Sequence, residues 1–229
     1  IIASCIAGNE HLKSLNLDNV SLCGLDERGK GTYSLHAITA LCKVLPKSSV
    51  TSLSLANNNI SKADEALAEA FAKMPNLREV NISGNRFGES GETKLIEALA
   101  STQIEVLNLA ENDLSGGALK DVSVVIKLAE ALPLTQISSL NLANSKLTHN
   151  GKDTSAVIKL LEVLPSTRIS ALNLGNNELC NNQIEGDVGI KLAEAFAKMP
   201  NLVTVNLTNN RIHAEAGARL AEAFTKMTN

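Results

Sequence analysis

The chain has 229 residues, 44% of them hydrophobic but only 2% aromatic. That is ample apolar material for a large core, yet with no Trp and a single Tyr it excludes a globule packed around central rings, so the core has to be thin layers of Leu, Ile, Val and Ala. A formal net charge of -3, a pI of about 5.9 and the lack of any basic run exclude a phosphate-binding footprint, and with it a nucleic-acid partner.

In chain order, residues 1–11 read as the second half of a helix, the end of a preceding repeat or a cap. The C-terminal AEAFTKMTN copies an internal helix, so both ends look like cuts through a longer protein. Between them one pattern dominates. LxxLxLxxNxL starts at Leu12, Val50, Leu77, Ile104, Ile137, Ile169 and Leu202, and the string AEAFAKMPNL occurs at 68–77 and again at 193–202. The starts are 38, 27, 27, 33, 32 and 33 residues apart, which makes 12–229 seven repeats and 1–229 one array.

Each repeat predicts a short strand, a turn and a helix. Leu53 and Leu55 alternate with period two, as an inward-facing strand requires. The consensus Asn follows in the turn at Asn58, Asn85, Asn112, Asn177 and Asn210, replaced by Val20 in the first repeat and Ser145 in the fifth. Stacked, these amides would ladder between turns and satisfy main-chain groups that no sheet covers. In SKADEALAEAFAKMP, Ala66, Leu67, Ala70, Phe71 and Met74 share one helical face, and Ser61 with Asp64 resembles a capping box. Pro75 is expected to stop that helix, as Pro46, Pro133, Pro165 and Pro200 would stop others. Gly91, Gly117, Gly151 and Gly217 recur after the turns and are expected to allow a sharp entry into each helix.

Here the sequence resembles the ribonuclease-inhibitor-like class of leucine-rich repeats, whose units alternate a strand with a full helix. The resemblance implies an α/β solenoid, a partial horseshoe with a parallel sheet on the concave face and helices on the convex face. It also implies that partners bind on the concave face. The style of the repeats, rich in Asn, Ala and Lys with near-identical helices, resembles leucine-rich-repeat effectors of intracellular bacteria. That likeness implies a protein partner in the host cytosol; separately, with no catalytic motif in view, the chain is expected to be no enzyme. A second resemblance, of Asn85-Arg86-Phe87-Gly88 and the repeat lengths, is to the activating protein of the nuclear-transport GTPase, which implies regulation of a small GTPase. In that reading Arg86 or Arg211 could act on a bound nucleotide.

The x positions of LxxLxLxxN carry the candidate binding residues. Asn16, Asn81, Asn108, Asn141, Asn173 and Asn206 form a polar stripe, interrupted by Ser54, and Arg78, Glu79 and Glu105 form its centre of charge. Two readings stay open: a polar docking surface, or a consensus kept for solubility and side-chain laddering. No aromatic anchor stands among these positions, although hot spots favour Trp, Tyr and Arg.

Other motifs point elsewhere. Gly24-Leu-Asp-Glu-Arg-Gly-Lys-Gly-Thr32 has the spelling of a phosphate loop, but Asp26 and Glu27 fill an interior that should hold small residues, and no strand leads directly into it. His11, His36, His149 and His213 are scattered and form no ligand set, with His149 and His213 expected at the surface. Cys5 and Cys42 read as buried small hydrophobes, and Cys23 and Cys180, equivalent in repeats one and six, are too far apart to bridge. Four scattered cysteines fit reduced thiols and a cytoplasmic site. The sequons at Asn19, Asn59, Asn81 and Asn206 are taken as chance. No apolar run is long enough to enter a membrane. The expectation is a monomeric scaffold with no cofactor and no metal, binding another protein.

Overall fold

A computed structural model describes residues 6, 8–26, 29–87, 93–115, 122–148, 153–180 and 187–226. Its strands are β1 (Ser14–Asn16), β2 (Ser52–Ser54), β3 (Glu79–Asn81), β4 (Val106–Asn108), β5 (Ser139–Asn141), β6 (Ala171–Asn173) and β7 (Thr204–Asn206). The α-helices that follow them in turn are α1 (His36–Val44), α2 (Asp64–Ala72), α3 (Lys94–Ala98), α4 (Ser123–Ala131), α5 (Ser155–Val163), α6 (Asp187–Phe196) and α7 (Ala214–Lys226). The strands form one seven-stranded sheet in sequence order β1 to β7, every neighbour parallel and in the same register.

Side-chain alternation explains why three residues suffice for each strand. The middle residue (Leu53, Val80, Leu107, Leu140, Leu172) and the residue after the strand (Leu55, Ile82, Leu109, Leu142, Leu174) are buried against the helices. Leu67, Phe71, Leu128, Leu160 and Phe196 meet them from the other layer, and the buried side chains join into one continuous cluster. Parallel strands stack about 4.8 Å apart while packed helices need about 8–10 Å, so an array with one layer of each bends toward its sheet. The sheet therefore lines the concave side.

Each turn beyond a strand is built around two left-handed residues that flank the consensus position. In the second repeat these are Asn57 (φ 57°) and Asn59 (φ 55°), in the fourth Glu111 (φ 60°) and Asp113 (φ 48°), and in the sixth Asn176 (φ 59°) and Glu178 (φ 53°). Left-handed backbone costs an L-residue about 1–2 kcal/mol, which is why Asn is so frequent here. The consensus Asn offsets it. Asn85 donates from Nδ2 to the Leu55 carbonyl of the preceding repeat at 2.9 Å and to its own Ile82 at 3.0 Å. Its Oδ1 accepts the Asn58 N–H at 2.8 Å. Asn58, Asn112, Asn177 and Asn210 repeat the arrangement, each reaching back to a Leu or Ile carbonyl of the repeat before.

Three local expectations are corrected. Ser61 and Asp64 make no capping box: Ser61–Ala63 is a 3-10 turn, α2 starts at Asp64, and the Asp64 carboxylate turns instead to the next repeat. Pro46, Pro133 and Pro165 are the second residues of 3-10 turns that continue from α1, α4 and α5, because a residue with fixed φ and no N–H suits the first turn of such a helix. Gly217 lies inside α7 with no positive φ, and a Cβ there would meet nothing within 4 Å, so it performs no sharp entry. Gly91, Gly117 and Gly151 lie outside the described residues, as do Cys5 and His149.

Candidate functional site

The concave face is a regular parallel lattice because the first and third residues of every strand point away from the helices. Third residues align across the sheet: Asn16 pairs with Ser54, Ser54 with Asn81, and Asn81, Asn108, Asn141, Asn173 and Asn206 follow in unbroken register. Asn16 is exposed and the others are half-buried.

The stripe asparagines share one job inside the protein. Its Oδ1 accepts the N–H two residues on, closing the turn that leaves the strand: Asn16 from Asp18 at 2.9 Å, Asn81 from Ser83 at 3.1 Å, and Asn108, Asn141, Asn173 and Asn206 from Ala110, Ala143, Gly175 and Thr208 at 3.0 Å. Asn81 donates its Nδ2 to Ser54 Oγ at 2.9 Å. Among the described residues the Nδ2 groups of Asn108, Asn141, Asn173 and Asn206 meet no acceptor.

The charges divide unevenly. Arg78 is committed within the chain: Nη1 donates to the Pro75 carbonyl at 2.8 Å and the Leu77 carbonyl at 3.3 Å, while Nε pairs with Glu105 at 3.3 Å. Asp18, missed as a structural group by the sequence, accepts from Ser54 Oγ at 2.6 Å and from the Ala56 N–H at 2.7 Å. Glu79 and Glu111 are exposed, and among the described residues neither has an ion-pair partner. Beyond β4 the strands present Ser139, Asn141, Ala171, Asn173, Thr204 and Asn206, with no charge at all. The face therefore runs from acidic at repeats three and four to uncharged and donor-rich at repeats five to seven.

The turn arginines sit off this face. Arg86 and Arg211 are left-handed residues just after the consensus Asn, and Arg211 pairs with Glu178 at 3.3 Å. Lys146 and Asp113, in equivalent positions, pair at 2.6 Å. The glycine-rich segment of repeat one is a small hairpin, with Leu25 bridged to Gly31. Asp26 accepts the Lys30 N–H at 2.8 Å through its carboxylate and the Gly29 N–H at 2.9 Å through its carbonyl. Amides that a phosphate would need are thus taken by the chain itself.

On the helix side, a groove of about 480 Å³ opens between α1 and α2, bordered by Lys43, Glu69 and Lys73 with Cys42 at its floor. Burial pushes the Cys42 thiol up to about 12, so it carries no thiolate at neutral pH. Burial likewise raises the thiols of Cys23 and Cys180. Among the described residues no group of three or more His, Cys, Asp or Glu could hold a metal ion. Nor is any described helix long and apolar enough to cross a membrane.

Comparison with known proteins agrees with this architecture. A family model described as Leucine Rich repeat matches residues 73–94, the stretch that contains β3. Among solved structures, leiomodin-1 actin-binding site 2 is similar at 18% identity and a TM-score of 0.53, over 70% of this chain and 87% of that one. The tropomodulin C-terminal domain of Caenorhabditis elegans also aligns, at 18% identity over 96% of this chain and 86% of that one, with a TM-score of 0.32. No curated protein matches the chain significantly. The fold is an α/β leucine-rich-repeat solenoid.

Proposed function

We propose that the chain is a protein-interaction scaffold that receives a partner protein on the concave sheet face. The observation that carries this is the row of Asn108, Asn141, Asn173 and Asn206, four in-register side chains whose amide nitrogens meet no acceptor among the described residues. Groups kept only for the fold would need the oxygen alone, and Asp or Ser would supply it. A hydrogen-bonding face without an apolar groove or aromatic anchor suits a polar protein surface better than a small molecule.

The partner in this reading is a host-cell protein. Support comes from the resemblance of the repeats to leucine-rich-repeat effectors of intracellular bacteria. Leiomodin-1 actin-binding site 2 shares the fold at 18% identity, which makes actin a worthwhile ligand to assay and no more. The test is affinity capture from eukaryotic cytosol, comparing the parent chain with Asn108→Arg/Asn141→Arg and with Glu79→Lys. A protein retained by the parent and lost from the asparagine variant, at unchanged circular dichroism, is the expected result. Equal capture by all three would move binding off the concave face.

A further inference from the structure

We infer that the concave face selects an α-helix carrying hydrogen-bond acceptors once per turn along one side and basic residues at one end of that side. The inference rests on the concave-face reading and deepens it by naming what the partner must offer. It starts from chemistry. Among the described residues the Nδ2 donors of Asn108, Asn141, Asn173 and Asn206 meet no acceptor, whereas each Oδ1 already accepts the N–H two residues on. A surface that presents donors in a line is matched by acceptors in a line, carboxylates or side-chain carbonyls, and is poorly matched by lysines or by an apolar stripe. At the other end, Glu79 on β3 and Glu111 after β4 are exposed carboxylates without ion-pair partners among the described residues. The nearby Arg78 is tied to Glu105, so it does not neutralise them. Along the array the complementary partner therefore reads basic first and acceptor-rich after.

Spacing selects the helix. The four asparagines lie on adjacent parallel strands in register, which sets their interval at about 4.8 Å. Residues on one side of an α-helix recur at about 5.4 Å per turn. Over three intervals the two rows drift apart by about 2 Å, within the reach of Glu or Gln side chains. An extended strand lying the same way repeats its side chains every 6.6–6.8 Å or so, and drifts by about 6 Å, more than one whole interval. The distance from β3 to β7 is four intervals, roughly 19 Å, or about thirteen helical residues.

The experiment uses stapled helical peptides of about eighteen residues. One carries Glu once per turn with two Lys at the end of that row, and a second has the Glu row replaced by Ala. Binding is read by fluorescence polarisation against the parent chain, against Asn141→Asp/Asn173→Asp, and against Asn108→Arg/Asn141→Arg. The aspartate variant is the sharp probe, since it keeps the oxygen that closes each turn and puts a carboxylate oxygen in place of each Nδ2 donor. Thermal melts check that it folds as the parent does. The expected result is at least tenfold tighter binding of the Glu-row peptide than of the Ala-row peptide, with that preference lost or reversed in the aspartate variant. A preference that survives the aspartate change but disappears with arginine keeps the concave site and overturns the donor row. No binding of either peptide, or binding indifferent to both variants, also overturns the helix inference. The concave-face reading then stands or falls separately, on the capture experiment.

Discussion

The Asp64 side chain is only 3% exposed, yet its carboxylate takes two N–H groups of the next repeat, Lys94 at 2.7 Å and Leu95 at 2.9 Å. Those amides begin α3 and have no partner within their own helix, so Asp64 caps a helix thirty residues further on. Burial holds its carboxyl above the usual aspartate range, with the two amides pulling the other way. A folded-state value above the unfolded one means the folded chain binds the proton more tightly. The associated stability is present in full below the unfolded value of about 3.9 and is lost as pH rises through the raised folded value. Asp64→Ala should cost about 2 kcal/mol in urea denaturation at pH 7, as expected for stripping a buried cap. The gap between parent and variant should widen as pH falls across that window. A gap that narrows on acidification would mean that the charged form is the favoured one in the fold.

At the scale of the element, the helix layer is set by how closely successive helices approach. α6 and α7 meet where Gly189 faces Ala216: a Cβ added to Gly189 would lie 2.3 Å from the Ala216 Cβ, a distance no real pair tolerates. The two helices would have to separate, pulling Phe196 from its stacked contact with Phe224, whose ring centroids lie 6.2 Å apart. Gly189→Ala should therefore destabilise by about 2 kcal/mol despite its better helix propensity, whereas Gly217→Ala, with nothing nearby, should be neutral or slightly stabilising. Paired thermal melts of the two variants decide this, and equal shifts would reject close packing as the cause. This contrast also marks the limit of the sequence. Strands and helices were legible because Leu and Asn recur at fixed offsets within a repeat, and the stripe was legible for the same reason. Asp64, Gly189 and Asp18 act between repeats, on partners about thirty residues away or more, and Arg78 turns back on the Pro75 and Leu77 carbonyls where two repeats join. No periodic pattern encodes those partners, so Asp64 looked like part of a local cap and Arg78 like a free docking charge.

For the whole molecule, stability is shared between neighbouring repeats, which makes any weak joint matter beyond its own layer. The asparagine ladder has one such joint. Asn58 and Asn85 each give their N–H to the next consensus side chain at 2.8 Å, and Asn177 does the same at 3.0 Å. Asn112 cannot, because Ser145 stands where the acceptor should be. The short hydroxyl of Ser145 is turned to the Leu109 carbonyl at 3.2 Å, and the Leu114 N–H goes to the Ser145 main-chain oxygen instead. Asn112 is fully buried, and among the described residues its N–H has no acceptor. An unpaired buried amide costs about 1–3 kcal/mol, so the seam between repeats four and five should be the easiest place for the array to open. Hydrogen exchange should accordingly be faster at the Asn112 amide than at Asn58, Asn85 or Asn177. Ser145→Asn restores the missing acceptor and should slow exchange at Asn112 while adding about 1 kcal/mol of stability. Because the seam joins two blocks, the substitution should also sharpen the denaturant transition by coupling repeats one to four with repeats five to seven. If Asn112 already exchanges as slowly as Asn85, the two blocks are held together by their hydrophobic layers and the β4–β5 pairing, and the ladder has no part in their coupling.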